Sequence, residues 1–219
     1  MKECSFCTLA VREKVEAWNR PLLETSHFVV LPSLGALVEG WLLIVPKVHF
    51  ISLGELPTSL ETEFLTLKSE IVQLTESLYG AAALFEHGPS SIKRQVGCGV
   101  DHAHLHIVPT IYDLKSEVAP FLPNAAQWQR GDLNGCRDAY RSGNDYLYLE
   151  QPVGHGFILK SGQLGSQLFR RAIARSMGIE EQFNWREHPQ FVAINSTIES
   201  VGKAMAAGST CLVGSENAA

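Results

Sequence analysis

Apolar and polar positions change their period several times along this chain, and each change marks an element. HFVVLP (27–32) reads as a strand. WLLIVP (41–46) is an unbroken apolar run that stops at Pro46, as expected of a strand buried on both faces. The period then becomes helical, with Leu60, Phe64, Leu67, Ile71, Leu74 and Leu78 along one stripe. Thr58 and Glu61 have the spacing of a capping box at its start. Residues 81–86 and 103–109 read as further strands. After Pro109 the character shifts. A loop with Pro120, Pro123 and Gly131 leads to strands over 146–151 and 156–160, linked by a turn at Pro152 and Gly154. A helix is expected over 164–178, ending at Gly178, and another over 188–205. The stretch AAGSTCLVGSENAA (206–219) reads as a frayed tail. Strands mixed with helices through short links predict an α+β fold with an antiparallel sheet, not a doubly wound parallel one.

With 219 residues, 45% of them hydrophobic and 19% charged, the chain can bury a real core as a globular protein. A formal net charge of −5 supplies no global basic footprint for nucleic acid, but leaves small anionic ligands open through a local basic patch. No apolar run reaches bilayer length, and MKECSFCTLA lacks an apolar h-region, so the expectation is no membrane, no secretory signal and a cytoplasmic setting. Five cysteines are an odd count, and in a reducing compartment they are expected as thiols or metal ligands.

Two stretches carry chemistry. In GCGVDHAHLHIVP (97–109), His102, His104 and His106 alternate with Ala103, Leu105 and Ile107. In a strand, alternate side chains share a face, roughly 6.5–7 Å apart, so the three imidazoles form a row above a core-facing row. Such a row is either a metal site or a reaction site. The second stretch is Cys4-Ser5-Phe6-Cys7. A redox pair would need a thioredoxin-like pattern after it, which is missing, so structural zinc is the better reading. That requires two further ligands from among the histidines, which spacing alone does not choose.

HAHLHIV (102–108) resembles the signature of the histidine-triad superfamily of nucleotide hydrolases and transferases. GWLLIVPKVHF (40–50) is similar to the strand segment such proteins carry upstream, and CSFC (4–7) to the cysteine pair of their zinc-containing members. The resemblance covers residues 1–112, as a catalytic domain; it leaves 113–219 as a C-terminal α+β extension packed on the core, whose length is similar to that of the larger branches. It implies that His104 is the nucleophile and attacks an α-phosphate to give a nucleotidyl-histidine. His104 would donate a hydrogen bond from Nδ1–H to a backbone carbonyl, which leaves Nε2 free. His106 would help hold phosphate oxygens. His102, His49, Cys4 and Cys7 would bind a structural zinc whose four ligands leave no open position. The implied partner is a small-molecule nucleotide: a dinucleoside polyphosphate, a phosphoramidate or a sugar nucleotide. Small members pair as homodimers, and a long extension could occupy that surface. The rival arrangement, a catalytic metal held by all three triad histidines, would leave the cysteines without partners. A rival function is a nucleotide-binding sensor or scaffold without catalysis.

Other candidates flank the triad. Glu86, His87 and Gly88 end the preceding strand, where the resemblance places groups beside substrate phosphates; a solvated strand edge is the plain alternative. In the 88–101 loop, Lys93, Arg94 and Gln95 offer donors to anionic oxygens, and Gly97 and Gly99 permit close backbone approach; the alternative is an ordinary mobile loop. Cys98 is expected as a packed thiol. The pattern also departs from the family: Gly97, Cys98 and Gly99 stand where a serine or glutamine often assists the leaving group, no ribose-holding acid is evident in 31–40, and Trp41 replaces a histidine. In the extension, Arg170, Arg171 and Arg175 are expected on a solvated helix face. Phe183-Asn184-Trp185-Arg186 could clamp a nucleotide or plug the core.

Overall fold

The computed structural model describes residues 4–10, 19–94, 96–97, 99–152 and 155–213. Its centre is one eight-stranded sheet. The strands are β1 (Leu23–Glu24), β2 (Phe28–Pro32), β3 (Leu42–Pro46), β4 (Ala82–Gly88), β5 (Leu105–Pro109), β6 (Gln129–Arg130), β7 (Tyr146–Glu150) and β8 (Gly156–Lys160). They run in the order β1-β2-β3-β5-β4-β7-β8-β6, and every pairing is antiparallel. The expected α+β class is what the chain adopts.

Alternation along the strands sorts side chains to two apolar layers. Phe28, Val30, Leu42, Ile44, Leu84, Leu105 and Ile107 face the long helix α2 (Glu61–Tyr79), which buries Phe64, Leu67 and Ile71 against them. On the other face, Val29, Leu31, Leu43, Val45, Phe85, Val108, Leu147 and Leu149 pack with Leu168, Phe169 and Ile173 of α5 (Leu168–Ser176). Each fully buried side chain of this size contributes roughly 1.5–3 kcal/mol. With both faces covered, β2 and β3 are buried along their whole length, which is why their sequences read as continuous apolar runs.

The second half of the chain continues the same sheet. β7 pairs with β4 from Leu84↔Glu150 to Gly88↔Tyr146, and β8 and β6 follow outward. The stretch expected as a plain loop holds α3 (Leu114–Val118) and α4 (Leu133–Arg141), each started by an aspartate cap. Asp132 accepts from the backbone N–H of Asn134 at 2.9 Å and of Gly135 at 3.2 Å. The capping box expected at Thr58 and Glu61 does not form: Thr58–Leu60 is a 3-10 turn, and α2 starts without a side-chain cap. The final helix, α6 (Phe191–Val213), runs through much of the expected tail. Residues 214–219 of that tail lie outside the described residues.

Candidate active site and metal centre

The N-terminal helix α1 (Ser5–Ala10) brings the cysteine pair to the triad. Cys4 and Cys7 are three residues apart and so share a face of that turn. His49 follows β3, and His102 precedes β5. Four ligand atoms, one from each of Cys4, Cys7, His49 and His102, lie within 4.8 Å of one another. Cys4 Sγ is 3.3 Å from His102 Nδ1, Cys7 Sγ is 3.7 Å from the same atom, and Cys7 Sγ is 3.2 Å from His49 Nδ1. Tetrahedral zinc with bonds near 2.3 Å to sulfur and 2.0 Å to nitrogen spaces such ligands roughly 3.5 Å apart. The donor set and its spacing therefore fit that ion. His102 Nε2 lies 2.8 Å from the carbonyl of Pro46. A carbonyl only accepts, so Nε2 carries the proton and Nδ1 is left with its lone pair toward the cysteines. Without a cation, burial and the adjoining Cys4 push the Cys7 thiol up to about 11. A bound divalent ion would reverse that and hold both sulfurs as thiolates.

The expected strand over 103–109 begins at Leu105, so of the three triad histidines only His106 sits within a strand. His104 occupies the extended lead into β5. Its Nδ1 lies 2.7 Å from the carbonyl of His102, so Nδ1–H donates and Nε2 is the bare nitrogen. His106 is held the other way round. Trp41 Nε1–H donates to its Nδ1 at 2.9 Å, so the neutral ring carries its proton on Nε2. The two rings are 4.8 Å apart. Under His106 lies Phe85, stacked at 4.5 Å, and under Phe85 lies Phe169, stacked at 4.4 Å. Phe6, between the two cysteines, is 5.5 Å from the rings of both His102 and His104. A metal at the N-terminus would thus fix the wall beside His104.

Burial is the main force on the imidazoles. It pushes His87 down to about 3 and His104 and His106 below the usual histidine range, with Arg170 adding repulsion to all three. The rings are neutral at physiological pH, the state a nitrogen nucleophile needs. Of the triad histidines only His102 joins the cluster of ligand atoms among the described residues, whereas the Nδ1 atoms of His104 and His106 are engaged by a carbonyl and an indole.

The flanking candidates separate. His87 is on the triad face, its ring 6.5 Å from that of His106. Glu86, one residue away, must face the opposite layer, and it does: it is 1% exposed and accepts from Leu53 N–H at 2.7 Å and from the Tyr146 hydroxyl at 2.5 Å. Glu86 therefore faces away from the triad layer with both carboxyl oxygens engaged by the protein, unlike the expected grouping of Glu86 with His87 beside the triad. Gly88 is required by packing, since a Cβ there would enter the Tyr146 ring. Arg94 binds Asp145 through Nε at 2.9 Å, and Asp145 also accepts from the backbone and hydroxyl of Ser90. Lys93 is exposed, and its N–H donates to Asp101 at 3.0 Å. Lys93 and Arg94 line an open cavity of about 490 Å³ with Asp145 and the 162–165 turn. The carbonyl of Gly97 accepts from the Ser166 hydroxyl at 2.7 Å and that of Gly99 from Arg186 at 3.0 Å, so the second half of the chain clamps this loop. Gln95 and Cys98 lie outside the described residues.

Arg170 departs most from its sequence reading. Arg171 and Arg175 are exposed as expected, but Arg170 is 1% exposed. Its guanidinium lies 4.6 Å from the Trp41 ring and donates to the carbonyls of Phe183 and Gly35. Gly35, at φ +73°, leaves room for Arg170 and Trp185, where a Cβ would collide with both. In the Phe183–Arg186 segment, Phe183 packs on the core and Trp185 lies against Gly35, while Arg186 is exposed and reaches the Gly99 carbonyl.

No family model and no curated protein sequence matches the chain. Solved structures do resemble it. One is a hypothetical histidine triad nucleotide-binding protein from Sulfolobus tokodaii, at 23% identity and TM-score 0.41, over 49% of this chain and 68% of that one. Another is a HIT-like protein involved in cell-cycle regulation from Bartonella henselae, at 14% identity and TM-score 0.43, over 65% and 98%. These neighbours are histidine-triad proteins. A HIT family hydrolase from Clostridium thermocellum follows, at 18% identity and TM-score 0.40, over 52% of this chain and 95% of that one. The histidine-triad likeness leaves much of this chain unaligned. Among the described residues no helix is long and apolar enough to cross a membrane.

Proposed function

We propose that the protein is a histidine-triad nucleotide hydrolase or nucleotidyltransferase that works through a covalent adduct on His104. The observation that carries this reading is the buried, neutral His104 with Nδ1 tied to the His102 carbonyl and Nε2 bare. In the first step Nε2 attacks the α-phosphorus, an N–P bond forms, and the bond to the leaving group breaks with its electron pair departing on that group. In the second, water or a phosphate-bearing acceptor attacks phosphorus, the N–P bond breaks, and His104 is restored. His106, with its proton on Nε2, donates to a phosphoryl oxygen as charge builds there. Holding substrate at this row makes the attack effectively intramolecular.

Cys4, Cys7, His49 and His102 hold a structural zinc in this reading. With all four positions filled by protein, its part is to hold α1 and Phe6 against the triad. The substrate is a nucleotide with a good leaving group on its α-phosphate: a dinucleoside polyphosphate, a nucleoside phosphoramidate or a sugar nucleotide. The test is a screen of adenylyl and uridylyl substrates against wild type and His104→Ala, with zinc measured on both. Product analysis with and without added phosphate separates a transferase from a hydrolase. Tight nucleotide binding without turnover, unaltered by His104→Ala, would instead establish the binding-only alternative.

A further inference from the structure

One buried cation in the C-terminal half sits two contacts away from the reacting row. Arg170 on α5 lies over the face of Trp41, Trp41 Nε1–H donates to His106 Nδ1 at 2.9 Å, and the His106 ring meets His104 at 4.8 Å. Trp41 stands immediately before β3 and is fully buried, with Phe85 edge-on at 5.9 Å. His106 stacks on Phe85 at an interplanar angle of 22°, so neither ring turns without disturbing the other.

We propose that Trp41 and Arg170 are positioning residues that hold His106 as a fixed N–H donor to the phosphoryl group transferred at His104, so that the second half of the chain supplies part of the reaction centre. The inference rests on the functional reading above and deepens it.

Three physical points support it. An indole N–H can only donate, so the nitrogen facing it must stay bare and the proton of the neutral imidazole is forced to the far nitrogen. A histidine or water in that place could accept or donate and would leave the tautomer open. A cation over the indole face is attracted by the ring electrons, which polarises the N–H and strengthens its bond to His106. Finally, burying a guanidinium is costly unless its donors are satisfied. Here they reach the carbonyls of Phe183 and Gly35, which come from opposite halves of the chain. That fixes Arg170 over Trp41 only when the two halves are packed together.

The geometry also limits what His106 does. With the Nδ1 lone pair accepting the indole N–H and the proton on Nε2, His106 offers no available lone pair with which to take a proton from water. Its role is to grip, and it does not act as the general base.

The test is a long-range proton–nitrogen NMR spectrum of the full-length, zinc-loaded protein labelled at histidine nitrogens. The expected wild-type result is His106 with Nε2 protonated and Nδ1 bare. Trp41→Phe keeps a ring beneath Arg170 and removes the donor. It is expected to give a mixed His106 tautomer, to lower kcat about tenfold and to leave KM within about twofold. Wild-type His106 with its proton on Nδ1 overturns the proposal and needs no variant. An unchanged tautomer and kcat in Trp41→Phe also overturns it. Should Trp41→Phe fail to fold, Arg170→Gln supplies the second arm: it keeps the indole donor, so His106 retains its tautomer while kcat falls, and an unaffected kcat counts against the proposal. A wild type with no turnover on any nucleotide sinks the functional reading instead, and is distinguishable from turnover with His106 in the wrong tautomer.

Discussion

His104 and His106 stand 4.8 Å apart, ring to ring, and carry their protons on opposite nitrogens. The difference comes from their partners, a backbone carbonyl that can only accept and an indole that can only donate. One ring therefore presents a lone pair and its neighbour an N–H, the pair needed to attack phosphorus while binding its oxygen. Removing the donor should hurt the transition state more than the ground state. His106→Ala is expected to lower kcat about 10²–10³-fold with a small change in KM, read by single-turnover kinetics. An equal rise in KM with kcat preserved would assign His106 to substrate binding only.

The cysteine pair should matter for folding and not directly for chemistry. Cys4→Ala is expected to lose the zinc and about 3 kcal/mol of stability or more, which at this length lowers Tm by roughly 6–12 °C. His104→Ala is expected to keep about one zinc per chain and the wild-type Tm. Metal analysis and thermal melts on both variants check this. Loss of the ion from His104→Ala would reverse the role assignment.

On the opposite face, Glu86 makes a prediction about pH. Burial pushes its carboxyl up to about 8, against the pull of Tyr146 and Leu53 toward the charged form. From its ordinary value near 4.5 up to about 8, the unfolded chain releases this proton while the fold keeps it. Stability contributed by the neutral form is complete below the lower value and is lost as pH rises through the higher. Glu86→Gln is expected to flatten that decline by about a few kcal/mol, measured by urea unfolding across the window. The same slope in both proteins would contradict a buried neutral carboxyl.

How far the sequence could be read is clearest around that residue. Strand parity already separates Phe85 and His87 from Glu86, so the opposite facing of Glu86 was legible in the alternation. Grouping Glu86 with His87 rests on their adjacency in sequence, which strand parity overrides. Trp41 shares the parity of Leu43 and Val45 and so belongs to the triad layer. Arg170 carried no such signal. An arginine on an amphipathic helix is ordinarily solvated, and what buries this one is Trp41, Gly35 and Phe183, two of them far away in sequence. The short helix α4 escaped because its buried positions, Leu133, Cys136, Arg137 and Ala139, are few and include a charged side chain. That arginine is neutralised by Glu61 at 2.8 Å, a partner only the tertiary fold supplies. The buried strands were readable because a continuous apolar run is a local pattern, whereas the partners of the cysteine pair and the start of β5 at Leu105 are set by the tertiary fold.

Gly88 separates packing from substrate contact. A methyl group there would enter the Tyr146 ring, which lies across the β4–β7 pair and also supplies the Glu86 hydrogen bond. Gly88→Ala is expected to cost about 1–3 kcal/mol by overpacking, with KM unchanged in the folded fraction. Denaturant melts together with steady-state kinetics would check it. A raised KM at full stability would return Gly88 to the substrate.

Intact-protein mass spectrometry after rapid quenching of the protein mixed with an adenylyl or uridylyl substrate, followed by peptide mapping, detects the covalent intermediate itself. One nucleotidyl group per chain is expected on His104, forming and decaying at rates that support turnover and absent from His104→Ala. Turnover without an adduct at His104, or undiminished turnover by His104→Ala, would contradict a covalent intermediate on that residue.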